Sequence, residues 1–422
     1  MNTTIEQFNF KGLTTFVRVD FNVPLDSERN ITDDTRMRAA LPTLKKILSD
    51  GGKLIIASHL GRPKGIDESL SLKHLLPHLE ELLGLKVQFP GDSIGEKVQH
   101  AVKSLHNGEA LLLENLRFYA EEEGKPRGLS PEASPEEVAT AKKEMKQRQR
   151  DFADKLASLA NCYVNDAFGT AHRAHASTAL IADKFPPSNK MFGFLMEKEV
   201  KAVEHILQCE AHPFVAIVGG AKVSSKIDIL SSLLNKADKL IVTGGMAFTF
   251  VVAEGGHIGK SLFELDNIAV AKEILEKAKA QNVELILPLD VVASTEFSND
   301  SERKVFPINA IPKEYMGLDV GPQTRACYKE ALHGAKTILW NGPAGVFEME
   351  NFRQGTFSLA EAVADATKEG AYSLVGGGDS VACIKLLGME DKISYVSTGG
   401  GALLEAVEGK ALPGVVAIQG EK

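Results

Sequence analysis

Short branched aliphatic runs recur along the whole chain, and nearly all of them stop at glycine, aspartate, asparagine or histidine. The first half carries TTFVRVD at 14–20, KLIIASH at 53–59, ALLLEN at 110–115 and CYVNDA at 162–167. The second carries FVAIVGG at 214–220, KLIVTGG at 239–245, VELILPLD at 283–290, KTILWNG at 336–342 and AYSLVGG at 371–377. Between many of them lie amphipathic helical patterns, such as AALPTLKKILSD at 39–50, SSLLNKAD at 231–238 and NIAVAKEILEKAKAQ at 267–281. Strands alternating with helices in this way build βαβ units, an α/β fold with mainly parallel sheets. Aromatics at 6% beside 44% apolar residues suit aliphatic sheets covered on both faces. In such a fold the functional side chains gather beyond the carboxyl ends of the strands.

At about 100–200 residues per domain, 422 residues predict two domains. The boundary falls in 185–200, where FPPSNK precedes FGFLMEKEVKAVEHIL; Pro186 and Pro187 punctuate the chain and the following residues read as a helix linking two lobes. The segment 121–152 reads as solvent-facing. Its Ser134-Pro135-Glu136-Glu137 start resembles an N-cap with proline at the first helical position, and no chemistry is assigned to it. With 48 basic and 56 acidic side chains the formal charge is -8, which excludes a general nucleic-acid coat but leaves room for a local anion pocket. Cys162, Cys209, Cys327 and Cys383 lie far apart without a CxxC pair, so a reducing compartment is expected. The start MNTTIEQFNFKG has no basic leader, and no run approaches the roughly 20 apolar residues of a membrane helix. These features together predict a cytoplasmic protein with neither nucleic acid nor membrane as partner.

Sorting the strand ends by chemistry separates the halves. The first half presents Arg18, Asp20 and Asn22 in VRVDFNVP, Arg36 in TRMRAA, His59 and Arg62 in SHLGRP, Arg117 in ENLRFY, and His172, Arg173 and His175 in GTAHRAHAST. Guanidinium forks bind phosphate or carboxylate oxygens in pairs, so the set suits a small, highly anionic ligand. Ordinary surface ion pairing is the alternative for any one arginine. Asp20 and Asn22 fit substrate hydroxyls or orientation of the neighbouring arginines.

Glycines and carboxylates dominate the second half. Gly219-Gly220-Ala221-Lys222-Val223-Ser224-Ser225-Lys226 follows FVAIV, and a glycine turn there lets backbone amides approach an anion at a helix start. Lys222 and Lys226, four residues apart, are expected on one helical face. Gly376-Gly377-Gly378-Asp379-Ser380 follows YSLV; its amides suit nucleotide phosphates and Asp379 suits a divalent ion beside them. Trp340-Asn341-Gly342-Pro343 adds a rigid turn, with Glu348 beyond it as a candidate for a ribose hydroxyl. HExxH and the protein-kinase HRDxxxxN and DFG signatures are missing, and so are GxxxxGK[ST] and GxGxxG. What survives is anion binding in one half and phosphate-plus-metal binding in the other, the division that direct phosphoryl transfer between two substrates requires.

At this point the chain resembles the phosphoglycerate kinase family over nearly its entire length. VRVDFNVP, SHLGRP, ENLRFY, NDAFGTAHRAH, FGFLMEKE, GGAKVSSK, GGMAFTF, WNGPAGVFE, GGGDS and STGGGA stand in that order. The resemblance implies two Rossmann-like lobes joined by a hinge helix: 1–185 binding the phosphoglycerate, 186–404 binding the nucleotide, and 405–422 returning to the first lobe. It implies a monomer that moves a phosphoryl group reversibly between 1,3-bisphosphoglycerate and ADP, giving 3-phosphoglycerate and ATP, with Mg2+ as cofactor. Carried onto this sequence, Asp20, Asn22, Arg36, His59, Arg62, Arg117 and Arg173 form the substrate side. Lys226, Glu348, Gly376, Gly377, Gly378 and Ser380 are expected around the nucleotide, with Gly245, Gly321, Asn341 and Pro343 in its base or ribose pocket and Asp379 on the magnesium side. Arg36, Lys222 and Lys226 are the implied catalytic cations. The rival readings are another acyl-phosphate kinase, a noncatalytic nucleotide-binding regulator and a nicotinamide oxidoreductase.

Overall fold

The computed structural model describes residues 4–420 apart from Cys209, so that cysteine and the tail residues Glu421 and Lys422 lie outside the described residues. Two compact units emerge, one running to Lys201 and resuming at Ala411, the other spanning Ala202–Lys410.

The first unit is built on a six-stranded parallel sheet. Across the sheet the order is Val87–Gln88, Ala110–Leu112, Lys53–Ala57, Thr14–Val19, Cys162–Asp166 and Lys190–Phe192. Strand alternation sends successive residues to opposite faces, each of which has its own core. Val17, Val19, Leu54 and Ile56 join one core; Phe16, Ile55, Ala57 and Tyr163 join the other. Burial on both faces is why these strands read as unbroken apolar runs. The chain builds outward in one direction from Thr14–Val19 and then in the other from Cys162–Asp166, so the topological switch lies between those two strands.

The second unit repeats the plan. Its parallel sheet runs Glu284–Ile286, Lys239–Val242, Phe214–Val218, Thr337–Asn341, Tyr372–Gly376 and Tyr395–Val396, with the switch between Phe214–Val218 and Thr337–Asn341. A smaller antiparallel sheet of Lys304–Pro307, Asp290–Ser294 and Met316–Val320 is added. The apolar pattern did not announce that addition, because it covers only the small core of Phe248, Val251, Val291 and Ala293. The edge strands Val87–Gln88, Lys190–Phe192 and Tyr395–Val396 also escape the sequence pattern: two or three residues are too few to show a period.

The division of the chain differs from the expected 1–185, 186–404 and 405–422. It falls at Lys201/Ala202, inside the helix Phe194–Leu207, because Lys190–Phe192 is a strand of the first sheet and the Phe194 amide donates to Thr43 Oγ1 at 2.9 Å. At the other end the helix Gly401–Val407 stays with the second unit, where Ser232 Oγ donates to the Val407 carbonyl at 3.1 Å. The helix Pro413–Gln419 lies on the first unit; the Gly414 amide donates to the Ala171 carbonyl at 2.8 Å and Ile418 enters the core beside Tyr163. Among the described residues, no helix is long and apolar enough to cross a membrane. Cys162, Cys327 and Cys383 are free thiols.

Candidate functional site

The basic cluster of the first unit grows from two neighbouring strands. Thr14–Val19 and Lys53–Ala57 pair with Arg18 opposite Ala57, so Asp20–Asn22 and Ser58–Arg62 emerge side by side. Asp20 Oδ2 accepts from Arg36 Nη1 at 2.9 Å, and the same nitrogen reaches the Asn22 carbonyl at 3.3 Å. Asn22 Oδ1 accepts from the Gly61 amide at 2.8 Å; the Gly61 carbonyl in turn accepts from Arg117 Nη1 at 2.7 Å. His59 Nδ1 lies 3.9 Å from Asp20 Oδ1. Asp20, Asn22, Arg36, His59 and Arg117 therefore form one patch. Arg173 adds its positive charge to that felt by Arg117 and His175, and donates through Nε to His172 Nε2 at 3.1 Å. Arg62 follows Gly61 with its side chain exposed.

Electrostatics mark the patch as built for an anion. Burial pulls the Arg117 guanidinium down to about 10, with Arg18 and Arg173 adding repulsion. Its Nε is buried without a hydrogen-bond partner. Burial, then Arg117, lowers His175 to about 3, and burial, then Arg18, holds His59 well below the ordinary imidazole range. Both imidazoles are thus neutral hydrogen-bonding groups at physiological pH rather than added positive charges. Cations crowded at this cost gain most from a ligand that brings negative oxygens.

Two expectations change here. Arg18, grouped with the ligand-facing cations by sequence, is fully buried, because strand alternation places it on the same face as Phe16. The segment 121–152, to which no chemistry was assigned, braces the patch. Arg127 Nη2 donates to the Arg117 carbonyl at 2.8 Å, Glu123 Oε1 stands 3.8 Å from Arg117 Nε, and Gln149 Nε2 donates to the Ala174 carbonyl at 3.1 Å. The polar composition of the segment hides these inward contacts, which come from Glu123 in the short helix Ala120–Glu123, Arg127 in the following loop and Gln149 on the buried side of the helix Pro135–Ala157.

In the second unit the loops after Phe214–Val218, Thr337–Asn341 and Tyr372–Gly376 interlock at the switch point. Gly219 passes so close to the next loop that a Cβ there would overlap the Pro343 carbonyl oxygen. Lys226 Nζ donates to Asn341 Oδ1 at 2.6 Å, Asn341 Nδ2 to the Gly376 carbonyl at 2.9 Å, and the Gly342 amide to Ser380 Oγ at 2.7 Å. Burial lowers the Lys226 ammonium while the Asp379 carboxylate opposes that effect, so the two face one another electrostatically. Asp379 is exposed in the first turn of the helix Gly378–Leu386.

Lys222 and Lys226 do not share a helical face. The helix starts only at Ile227, because Glu264 captures the Ser224 amide and hydroxyl at 2.9 and 2.6 Å and the Lys226 backbone (φ -131°) is not helical. Lys222 is left exposed in the turn.

A cavity of about 500 Å³ opens beside these loops, lined among others by Gly220, Gly245, Pro343, Glu348 and Asp379. Phe248, Leu262, Phe297, Met316, Leu318 and Val346 give it an apolar wall. That combination suits a nucleotide, with a flat base on the apolar side and phosphates toward the glycine loops. Phe248 and Val346 stand within GGMAFTF and WNGPAGVFE, but no motif pointed to the other wall residues, which come from two loops and the antiparallel sheet. Gly321 does not line the cavity: it is buried beside Asp290 at the start of the helix Pro322–Leu332, and its amide donates to the Asp290 carbonyl. Ser380 is also buried, its hydroxyl occupied by the Gly342 amide. Among the described residues no three His, Cys, Asp or Glu side chains gather as a metal cage. A lone carboxylate at the mouth of a phosphate-sized cradle still fits Mg2+, which keeps waters and takes most other oxygens from phosphate.

The family model described as phosphoglycerate kinase matches residues 5–410. The chain is 60% identical over 417 residues to phosphoglycerate kinase of Porphyromonas gingivalis, covering 99% of this chain and 100% of that one. It is 49% identical to cytosolic phosphoglycerate kinase 3 of Arabidopsis thaliana, covering 98% and 97%. Among solved structures, phosphoglycerate kinase from Coxiella burnetii superposes with a TM-score of 0.83 at 39% identity, covering 99% of each chain. That from Pyrococcus horikoshii does so with 0.80 at 32% identity, covering 99% of this chain and 98% of that one.

Proposed function

The chain belongs to the phosphoglycerate kinase family, and from that premise we propose how its two sites carry the reaction. The enzyme transfers a phosphoryl group reversibly between 1,3-bisphosphoglycerate and ADP, giving 3-phosphoglycerate and ATP. In our reading 3-phosphoglycerate lies on Asp20, Asn22, Arg36, His59, Arg62, Arg117 and Arg173. The nucleotide occupies the cavity of the second unit, its phosphates on the Gly376–Gly378 loop and Lys226, its ribose within reach of Glu348. Gly245 and Pro343 line the base or ribose side, while Asn341, Ser380 and Gly321 act by holding the loops in place. The observation that carries this reading is the buried Arg117 Nε without a hydrogen-bond partner, set among Arg36, Arg173 and two neutral imidazoles.

No general base is needed. In the ATP-consuming direction the carboxylate of 3-phosphoglycerate is already ionised and attacks the γ-phosphorus; in reverse, a β-phosphate oxygen of ADP attacks the acyl phosphate. Positioning and charge stabilisation carry the rate. Arg36 meets the transferring group from the phosphoglycerate side and Lys222 from the nucleotide side. The exposure of Lys222 supports that role, since an ammonium on a flexible stem is able to follow the charge. Mg2+ held by Asp379 and phosphate oxygens would supply countercharge to the nucleotide. Reacting atoms must come within about 3–3.5 Å, so hinge closure at the helix Phe194–Leu207 completes the proposal.

A coupled assay for ADP formation, with ATP, 3-phosphoglycerate and Mg2+ each omitted in turn, tests the whole reading. Activity should require all three. Lys222→Ala should lower kcat far more than ADP affinity; comparable losses in both would remove Lys222 from the transfer step. Small-angle scattering with both ligands bound should show compaction, and an unchanged envelope during full turnover would exclude large closure. A single chain carries both sites, which favours a monomer, to be checked by light scattering. The cytosolic plant relative supports a cytoplasmic location, although a chloroplastic one from Arabidopsis thaliana is 48% identical; fractionation of the source cells decides this.

A further inference from the structure

We propose that Arg18 and Glu122 form a buried positioning pair that fixes the His59 imidazole with its proton on Nε2, so that His59 meets the phosphoglycerate as a neutral hydrogen-bond donor. The inference rests on the reading of His59 as a substrate-binding residue. Arg18 itself is fully buried in the strand Thr14–Val19 and has no route to a ligand. Its Nε donates to Ser177 Oγ at 2.7 Å, its Nη1 to the Val19 carbonyl, and its Nη2 stands 3.2 Å from His59 Nδ1. A guanidinium has five donors and no acceptor. Nδ1 must therefore offer its lone pair, and the ring proton goes to Nε2. Asp20 Oδ1, at 3.9 Å from Nδ1, is too far to accept a proton from it and reverse that choice.

Glu122 holds the arginine in place. It too is fully buried, 3.9 Å from Arg18 Nη2, and accepts from the Ser177 amide at 3.1 Å and from Ser177 Oγ at 2.6 Å. The Ser177 hydroxyl thus receives a hydrogen bond from Arg18 and passes one to Glu122, which orients the guanidinium as well as balancing its charge. Burial pushes Glu122 up, while the charge of Arg18 draws it back toward the ionised form. Around His59 stand Arg18, Arg36, Arg117 and His175, with Asp20 and Glu122 as the nearby carboxylates. Three guanidinium groups in an enclosed site disfavour an imidazolium. A neutral ring with the opposite tautomer would turn a lone pair toward an anionic substrate and repel it.

Long-range 1H–15N imidazole spectra of the full-length enzyme, with His59 assigned by the signals lost in His59→Gln, read the tautomer directly. His59 should show an unprotonated Nδ1 and a protonated Nε2, unchanged between about pH 8 and 5.5. A proton on Nδ1, or an imidazolium near neutral pH, overturns the proposal even if no variant folds. In Arg18→Met the ring should become a tautomer mixture, and KM for 3-phosphoglycerate should rise roughly tenfold or more while kcat changes far less. Arg18→Met with the wild-type tautomer removes Arg18 from the role. Glu122→Gln removes the charge and keeps one of the two oxygens that accept from Ser177, and should broaden or shift the His59 signals in the same sense; an unmoved spectrum removes Glu122. Addition of 3-phosphoglycerate should move the Nε2 signal. If the Nε2–H tautomer is present yet the ligand leaves it unmoved, the substrate role of His59 fails and the tautomer assignment survives.

Discussion

Gly377 and Gly378 stand side by side in one loop under different constraints. Gly377 has φ +95° and ψ 141°, a conformation that costs other residues about 1–3 kcal/mol, and a Cβ there would lie 2.6 Å from Asn341 Nδ2. Displacing Asn341 would release Lys226, so Gly377→Ala should lower the urea midpoint and weaken ADP binding together. Gly378 opens the helix with an ordinary backbone, and a Cβ there meets nothing within 4 Å. Gly378→Ala should leave stability unchanged or slightly raised and keep the amide available to phosphate. Equal losses in the two variants, by denaturation and calorimetric titration, would mean that the loop has no such division of labour. At this scale the sequence is a good guide to residue type and a poor one to orientation. GGGDS reads as a phosphate loop, yet nothing in it tells that Ser380 points inward to Gly342. Likewise VRVD displays Arg18 and Asp20 alike, and only the end of the strand at Val19 separates the buried arginine from the carboxylate that faces Arg36.

Among the elements, the helix Phe194–Leu207 begins on an unusual anchor. Asp166, at the carboxyl end of the strand Cys162–Asp166, accepts from the Met196 amide at 3.0 Å, and Gly193 packs so tightly on the carboxyl that a Cβ would overlap it. The helix start offers free amides to an acid, which favours the carboxylate. Burial wins: Asp166 is pushed up to about 7 from 3.8, with Oδ2 buried and lacking a hydrogen-bond partner. Below about pH 4 the group is protonated in folded and unfolded chains alike and makes no difference. Between about 4 and 7 only the unfolded chain ionises fully, so stability falls as pH rises by up to about 1.4 kcal/mol per pH unit from this group, then levels off. Asp166→Asn should flatten that slope in urea titrations from pH 5 to 8. Curves for the two proteins that stay parallel would mean that Asp166 is ionised throughout. Long elements such as this helix and Pro135–Ala157 could be read from the amphipathic pattern and, in the latter, from the capping box of Ser134 and Glu137. Their inward anchors could not, because Asp166 and Gln149 are polar residues whose partners lie far away in sequence.

For the whole molecule, the consequential fact is that the chain crosses between two self-contained units and then returns. Each has its own parallel sheet with core on both faces, so each ligand should stabilise the unit that binds it, by about 2.7 kcal/mol at a hundredfold excess over Kd. The returning segment is where sequence distance and structural membership part company. Lys410 closes the second unit through Asp228 at 2.8 Å, whereas Gly414 and Ile418 serve the first, beside Ala171 and Asn165. Removing 411–422 should therefore leave the second unit complete. The first would lose the buried Ile418, worth about 2 kcal/mol or more, and the support of Ala171 two residues before Arg173. Calorimetry should show the transition that responds to 3-phosphoglycerate moving down while the one that responds to ADP stays in place. Titration should show 3-phosphoglycerate affinity reduced and ADP affinity kept. Equal weakening of both ligands would mean that the carboxyl-terminal helix supports both units, and that the boundary at Lys410 does not mark independent folding.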